Sequence, residues 1–314
     1  MNYAYLFPGQ GSQSIGMLEE LACEYPEVKQ TFEQGSDILQ QNLWALASAG
    51  PEEDLNRTEN TQPIMLCASV AVWRIWNKQV PQPPALMAGH SFGEYTALVC
   101  AGVLDFESVV PLARFRGEVM QQAVPEGQGA MAAVLGLDND MLTEVCAEAS
   151  QGQIVEPVNF NAPGQVVIAG DAAAVTRAID AAKEAGAKRA MTLPLSVPSH
   201  SSLMRPAAEK LRDYLSDIAF KSSEVNIIHN ADVKSHASEQ EIKDALYRQL
   251  FNPVRWVETV QYMVSEGSQT FIELGPGKVL TGLSKRINRS VPCYCVHDIK
   301  SLEQTLETVL HKLS

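Results

Sequence analysis

The chain is poor in several features, and each shortage closes a class of function. No apolar run approaches the about 18 residues that a membrane-spanning helix needs, so no membrane span is expected. Basic residues are scarce: 24 Lys and Arg stand against 37 Asp and Glu, for a net charge of −13. With a pI near 4.9, such a body repels phosphate backbones and anionic lipid, which sets nucleic acid and membrane surfaces aside as partners. No Cys-x-x-Cys or Cys/His cluster has zinc spacing, so no metal is expected. There is no Walker Gly-Lys-Ser/Thr and no Gly-x-Gly-x-x-Gly opening a helix, which argues against nucleotide and dinucleotide cofactors. No internal repeat and no low-complexity tract is found.

The six cysteines, at 23, 67, 100, 146, 293 and 295, are spread over the whole chain. Cys23, Cys67, Cys100 and Cys146 sit in apolar helical patterns and read as small buried hydrophobes. Cys293 and Cys295 share one face of a strand. This is no disulfide framework, and it favours a reducing compartment. The N-terminus lacks a basic segment followed by an apolar one, so a cytoplasmic location is expected.

What is present suits a globular protein with a substantial core: 314 residues, 46% hydrophobic and 19% charged. That length predicts two domains, or one large core with an insertion. Tyr3 to Phe7 reads as a buried strand cut off by Pro8-Gly9, with a helix from Ile15 to Tyr25. A second helix is predicted from Thr61, with Pro63 in its first turn. Leu86 to Ala88 is a short strand, and a helix to Ala101 follows, capped by Gly102. Asp105 then caps a helix to Gln122. Strands alternating with helices predict an α/β class with a mostly parallel sheet covered on both faces.

Residues 124–197 carry a different pattern. Strands at Ala130–Leu135, Ile154–Phe160, Val166–Ala169 and Arg189–Leu195 enclose helices at Asn139–Ala149 and Asp171–Ala185. The order βαββαβ is the ferredoxin-like pattern, so a small subdomain over 124–197 is predicted inside a core of 1–123 and 198–314. The core resumes with a helix near Ser202–Asp217, a capping box at Ser238-x-x-Glu241 and a strand at Phe271–Leu274. A helix near Lys278–Asn288, a strand at Pro292–His297 and a terminal helix complete it.

The chemistry concentrates in a few places. Gly89-His90-Ser91-Phe92-Gly93 lies between a short apolar strand and an Ala- and Leu-rich helix, the context of a nucleophile elbow. An ordinary serine N-cap would read the same way. A nucleophilic serine needs a base. His90 is too close along the elbow and should point away, while His229, His236, His297 and His311 read as surface or edge residues. His200, in the loop Ser196-Val-Pro-Ser-His-Ser-Ser, is the candidate base, though a loop histidine also serves as a cap. Arg116 continues the apolar stripe Val109, Leu112, Ala113, whereas Arg114 faces solvent. An inward arginine demands an anion, either a buried carboxylate of the chain or one arriving with a substrate. The loop Pro8-Gly-Gln-Gly-Ser-Gln13 is either a tight turn or a source of backbone N–H groups beside the elbow.

Six ordered blocks now carry a resemblance over essentially the whole chain. They are Phe7-Pro-Gly-Gln-Gly-Ser-Gln13, Gly89-His-Ser-Phe-Gly-Glu-Tyr95, the Arg116 helix, Pro198-Ser-His200, Asn252-Pro-Val-Arg-Trp256 and Glu273-Leu-Gly-Pro-Gly-Lys278. Together they resemble the malonyl-CoA:acyl-carrier-protein transacylases of type II fatty-acid synthesis. The resemblance implies an α/β-hydrolase-like core with an inserted ferredoxin-like subdomain, commonly as a monomer. It implies transfer of malonyl from malonyl-CoA to the phosphopantetheine thiol of holo acyl carrier protein, without a cofactor. Ser91 becomes the acylated nucleophile and His200 the base, oriented by the backbone carbonyl of Gln249. Arg116 holds the malonyl carboxylate. The N–H groups of Gln10 and Phe92 form the oxyanion hole, and Asn159 and Asn161 line the cleft. The family often has leucine where this chain has Phe92, but only that residue's backbone is used. Acyl carrier proteins are typically acidic, so docking on a −13 body needs a local basic patch. Lys278, Lys285, Arg286 and Arg289 are the candidates, with a solvated helix face as the alternative.

Overall fold

The computed structural model describes residues 2–195 and 197–313. Ser196 and the side chain of His311 lie outside what is described. Among the described residues nine strands form two sheets: β1 (Tyr3–Phe7), β2 (Leu86–Gly89), β3 (Gly129–Leu135), β4 (Val155–Ala162), β5 (Gln165–Asp171), β6 (Arg189–Thr192), β7 (Asn226–Ile228), β8 (Thr270–Leu274) and β9 (Cys293–Val296). The larger sheet has the order β7-β2-β1-β8-β9 and every pair is parallel.

Burial on both faces follows from alternation along β1. Tyr3, Tyr5 and Phe7 join the core under the helices Thr58–Gln79 and Phe106–Ala123. Ala4 and Leu6 face the opposite way, onto Trp256, Val260 and Met263 of the helix Trp256–Ser265 and Leu280 and Leu283 of the helix Val279–Ile287. Phe7 and Gly89 are in register, so the loops leaving β1 and β2 emerge side by side. In an open parallel sheet, that carboxyl edge is where ligands bind.

The smaller sheet, β4-β5-β3-β6, is antiparallel throughout and has the predicted βαββαβ sequence of elements. The helices Asn139–Ser150 and Ala172–Glu184 seal one face through Leu142, Val145, Val175 and Ala178 against Val134, Val166 and Ile168. The other face presents Met131, Val158, Val167 and Ala169 toward Leu193 and Leu195. Two backbone hydrogen bonds tie β4 to the core, Phe160 N–H to Val254 O at 3.0 Å and Val254 N–H to Val158 O at 2.8 Å. The molecule is therefore an α/β-hydrolase-like core with an inserted ferredoxin-like subdomain.

Several local expectations change. The first helix spans only Glu19–Glu24, because Gly16 and Leu18 adopt left-handed φ of 79° and 64°. The next predicted helix starts at Thr58 rather than Thr61, which moves Pro63 from the first turn into the helix. Asp105 occupies an N-cap position, but its carboxylate accepts from Lys221 at 2.6 Å instead of capping. Cys23 is exposed, while Cys67, Cys100 and Cys146 are buried. The capping box Ser238–Glu241 forms as expected. The short edge strand β7 carries too little local signal to read, and the structure adds the helices Pro26–Leu39 and Trp256–Ser265 to the expected elements. Among the described residues no helix is long and apolar enough to cross a membrane.

Candidate active site

Gly89 ends β2 and Gly93 opens the helix Gly93–Cys100, leaving three residues to reverse the chain. A Cβ at Gly89 would lie 1.8 Å from the Gly93 carbonyl carbon, and one at Gly93 would lie 2.1 Å from Phe7 O. Both flanks must therefore be glycine. Ser91 sits at the apex with φ 51°, a left-handed conformation that is costly outside glycine. Asn230 staples the turn: Ser91 N–H donates to Asn230 Oδ1 at 2.7 Å, and Asn230 Nδ2 donates to Gly89 O at 2.8 Å. Phe92, not Ser91, occupies the N-cap position, and no side chain caps there. The capping alternative for Ser91 therefore fails.

Ser91 Oγ instead meets His200 Nε2 at 2.7 Å. His200 Nδ1 lies 2.7 Å from the backbone oxygen of Gln249. A carbonyl only accepts, so Nδ1 carries the hydrogen and Nε2 presents a lone pair to the serine. The ring is buried, and its own backbone is held at φ 65° by a bond from His200 N–H to Leu250 O at 3.0 Å. Burial first, and the Arg116 charge second, push the imidazole down to about 3. It is thus neutral near pH 7.

Arg116 is 1% exposed. Its Nη1 donates to Gln62 Oε1 at 2.9 Å and its Nη2 to Gln249 Oε1 at 3.0 Å, both neutral amides. The guanidinium lies over the rings of Phe92 and Tyr95, 5.8 and 5.3 Å from their centroids. Nε has no acceptor, and among the described residues no carboxylate reaches ion-pair distance of Arg116. Among the described residues no carboxylate pairs with it directly, and Glu94 reaches it only through the Gln249 amide, so the internal ion-pair alternative fails. Burial accordingly lowers its pKa. Arg114 is not free in solvent as expected: it donates to Asn60 Oδ1 at 2.7 Å and also bonds Gln41.

These groups surround one cleft. An inner cavity of about 60 Å³ is lined by Ser91, His200, Arg116, Phe92, Met120 and Gln10, among others. An outer cavity of about 420 Å³ shares Gln10, His90, Met131, Asn159 and Leu195 with it and adds Asn161. The backbone N–H groups of Gln10 and Phe92 have no acceptor among the described residues. The Gln10 side chain donates to Thr58 Oγ1 at 3.3 Å. His90 does not point away: its ring packs on Trp256, its Nε2 lies 2.7 Å from Asn161 Oδ1, and it lines both cavities.

Lys278, Lys285, Arg286 and Arg289 are all exposed, on or beside the helix Val279–Ile287. That helix also gives Val279, Leu280 and Leu283 to the outer cavity wall. Glu273 holds its start by accepting from Leu280 N–H at 3.0 Å and Thr281 N–H at 2.7 Å, and burial pushes this carboxyl up to about 7. Arg286 reaches Gln165 of β5 at 2.6 Å.

Four buried residues at the site were missed from sequence. Glu94, Gln62, Asn230 and His229 are buried behind the cleft, hydrogen-bonded to its residues or to one another, and His229 is fully buried rather than at the surface. A charged residue inside the apolar helix Gly93–Cys100 was the one available signal, at Glu94.

The acyl transferase domain family matches residues 4–304. The malonyl CoA-acyl carrier protein transacylase of Escherichia coli K12 is 53% identical over 305 residues, covering 97% of this chain and 99% of that protein. A malonyl-transacylase solved in complex with a type II polyketide synthase acyl carrier protein superposes with a TM-score of 0.97 at 54% identity, over 98% of this chain and all of that one (100%). The acyl carrier protein S-malonyltransferase of Vibrio cholerae gives a TM-score of 0.94 at 53% identity, over 97% of this chain and 100% of that one. With its elbow, its histidine and its buried arginine in one cleft, the chain belongs to the malonyl-CoA:acyl-carrier-protein transacylase family.

Proposed function

We propose that the protein moves a malonyl group from malonyl-CoA to the phosphopantetheine thiol of holo acyl carrier protein, through an ester on Ser91. The observation that carries this reading is a buried arginine that, among the described residues, bonds neutral amides and no carboxylate directly, in the same cavity as a serine bonded to a neutral histidine. A hydrolase for uncharged esters would have no use for that cation.

His200 Nε2 takes the Ser91 proton as Oγ bonds to the thioester carbon. The negative charge moves to the thioester oxygen, where the free N–H groups of Gln10 and Phe92 receive it, each worth about 3 kcal/mol. As the carbon–sulfur bond breaks, the imidazolium returns its proton to the departing CoA sulfur. The Gln249 carbonyl stabilises that imidazolium through Nδ1–H. Carrier thiol then attacks the ester, giving its proton to His200, and collapse returns the proton to Ser91 Oγ. Throughout, the malonyl carboxylate stays on Arg116. The outer cavity, with Asn159 and Asn161, suits the pantetheine arm. Lys278, Lys285, Arg286 and Arg289 beside its wall suit an acidic carrier. The same reading makes the protein a cytoplasmic monomer with a catalytic core of 1–123 and 198–314 and a small subdomain of 124–197.

Intact mass after exposure to malonyl-CoA tests the assignment. The protein should gain one malonyl group and lose it to holo carrier protein, and Ser91→Ala should gain none. A malonylated Ser91→Ala protein would move the nucleophile elsewhere.

A further inference from the structure

The acid absent from the serine–histidine pair is present one step behind it. Glu94 is completely buried, 0% exposed, in the first turn of the helix that follows the elbow. Three groups converge on its carboxylate. His229 Nδ1 lies 2.7 Å from Oε1, and Asn230 N–H and Gln249 Nε2 each donate to Oε2 at 2.9 Å. Two of these three residues touch the reacting machinery. Asn230 holds the Ser91 N–H, and Gln249 gives its carbonyl to His200 and its side chain to Arg116.

An amide can be seated two ways, with nitrogen and oxygen exchanged. Only one seating serves Arg116. The Gln249 Nε2 hydrogens go to Glu94 Oε2 and to Ser91 O, each at 2.9 Å, which leaves Oε1 for Arg116. The reverse seating would set an N–H group against the buried guanidinium, donor facing donor. An acceptor at Glu94 decides between them, because it rewards the seating in which nitrogen faces it.

Building on the transacylase reading above, we propose that Glu94 is a positioning residue for malonyl selectivity: it fixes the Gln249 amide with its oxygen on Arg116, and so fixes where Arg116 holds a substrate carboxylate. Its bond to Asn230 N–H anchors the elbow from the same point. Selectivity for a charged acyl group is thus set partly by a residue that touches neither substrate nor the reacting atoms.

The test compares acylation of Ser91 by malonyl-CoA and acetyl-CoA, read as a ratio of kcat/KM by rapid-quench intact mass. General damage to the fold lowers both donors together and leaves the ratio alone. Glu94→Met, which removes the acceptor at similar volume, should lower the malonyl-to-acetyl ratio about tenfold, the effect of roughly one misdirected hydrogen bond to a charged group. Glu94→Gln, whose amide oxygen can still accept from Gln249, should recover part of it. Gln249→Leu should lower the ratio too, and adding Glu94→Met to it should lower it no further. A folded Glu94→Met protein with the wild-type ratio would overturn the proposal. So would losses that multiply in the double variant. If Glu94→Met fails to fold, Glu94→Ala takes its place in the cycle under the same non-additivity criterion. Wild-type protein that malonyl-CoA does not acylate would sink the transacylase reading and this proposal together. Selective wild type with a selective Glu94→Met variant would sink only the role of Glu94.

Discussion

Replacing Arg116 by alanine separates substrate recognition from chemistry. The guanidinium is 1% exposed, its two in-chain acceptors are neutral, and its Nε–H is unused. A malonyl carboxylate would therefore meet a desolvated cation with donors to spare. Two charge-assisted hydrogen bonds at about 1.5–3 kcal/mol each amount to about 3–6 kcal/mol. Their loss should lower kcat/KM for malonyl-CoA by about 10² to 10⁴. Acetyl-CoA brings no carboxylate, so its kcat/KM should hold or rise. The substitution also acts on His200, whose imidazole is pushed down first by burial and second by the Arg116 charge. His200 works as a base only when neutral. Removing a nearby positive charge raises its pKa, so the acid limb of acetylation should move to higher pH in Arg116→Ala. Rapid-quench mass measurements with both donors across pH report all three effects. Retained malonyl preference would refute the clamp, and an unmoved acid limb would refute the electrostatic link to His200.

The elbow permits no side chain at its flanks: Gly93→Ala should cost more than about 4 kcal/mol, since the new Cβ would sit 2.1 Å from Phe7 O; soluble protein with a wild-type melting temperature would contradict that. His200 also makes stability depend on pH. Its pKa drops from 6.5 to about 3 on folding, so between those values the unfolded chain binds the extra proton. Its contribution is whole above about 6.5 and is lost as pH falls toward 3. Urea midpoints at pH 7 and pH 4.5 should therefore fall less on acidification in His200→Ala than in wild type; equal falls would contradict the buried neutral state. Reversing the exposed pair Lys285 and Arg286 to glutamate should raise KM for carrier protein about tenfold by slowing encounter, leaving self-malonylation intact. An unchanged KM would remove that helix from the docking surface.

Local sequence carried much of this. Glycines at 89 and 93 announce a turn that admits no Cβ, and the helical stripe through Val109, Leu112 and Ala113 turns Arg116 inward. The βαββαβ pattern survives because each element is defined by its own periodicity. The three-residue strand β7 did not, since so short an edge element has no period to read. His90 was misjudged because adjacency in sequence says little about direction when the residue between strand and helix has a left-handed φ. His229 was misjudged for a related reason. It follows a short strand at the sheet edge, and tertiary contacts, with Glu94 on one side and the His236 ring on another, make that edge interior.

By itself, then, the sequence determined the elbow, the inward arginine and the inserted subdomain, because dihedral limits and side-chain period act over a few residues. Tertiary structure alone decided which groups meet. Ser91 and His200 are 109 residues apart, and Arg116 and Gln249 are 133 apart, yet both pairs close to hydrogen-bond distance. No local rule sets such distances. Packing the two faces of the parallel sheet sets them, and with them whether a buried arginine finds a carboxylate in its own chain or waits for one on a substrate.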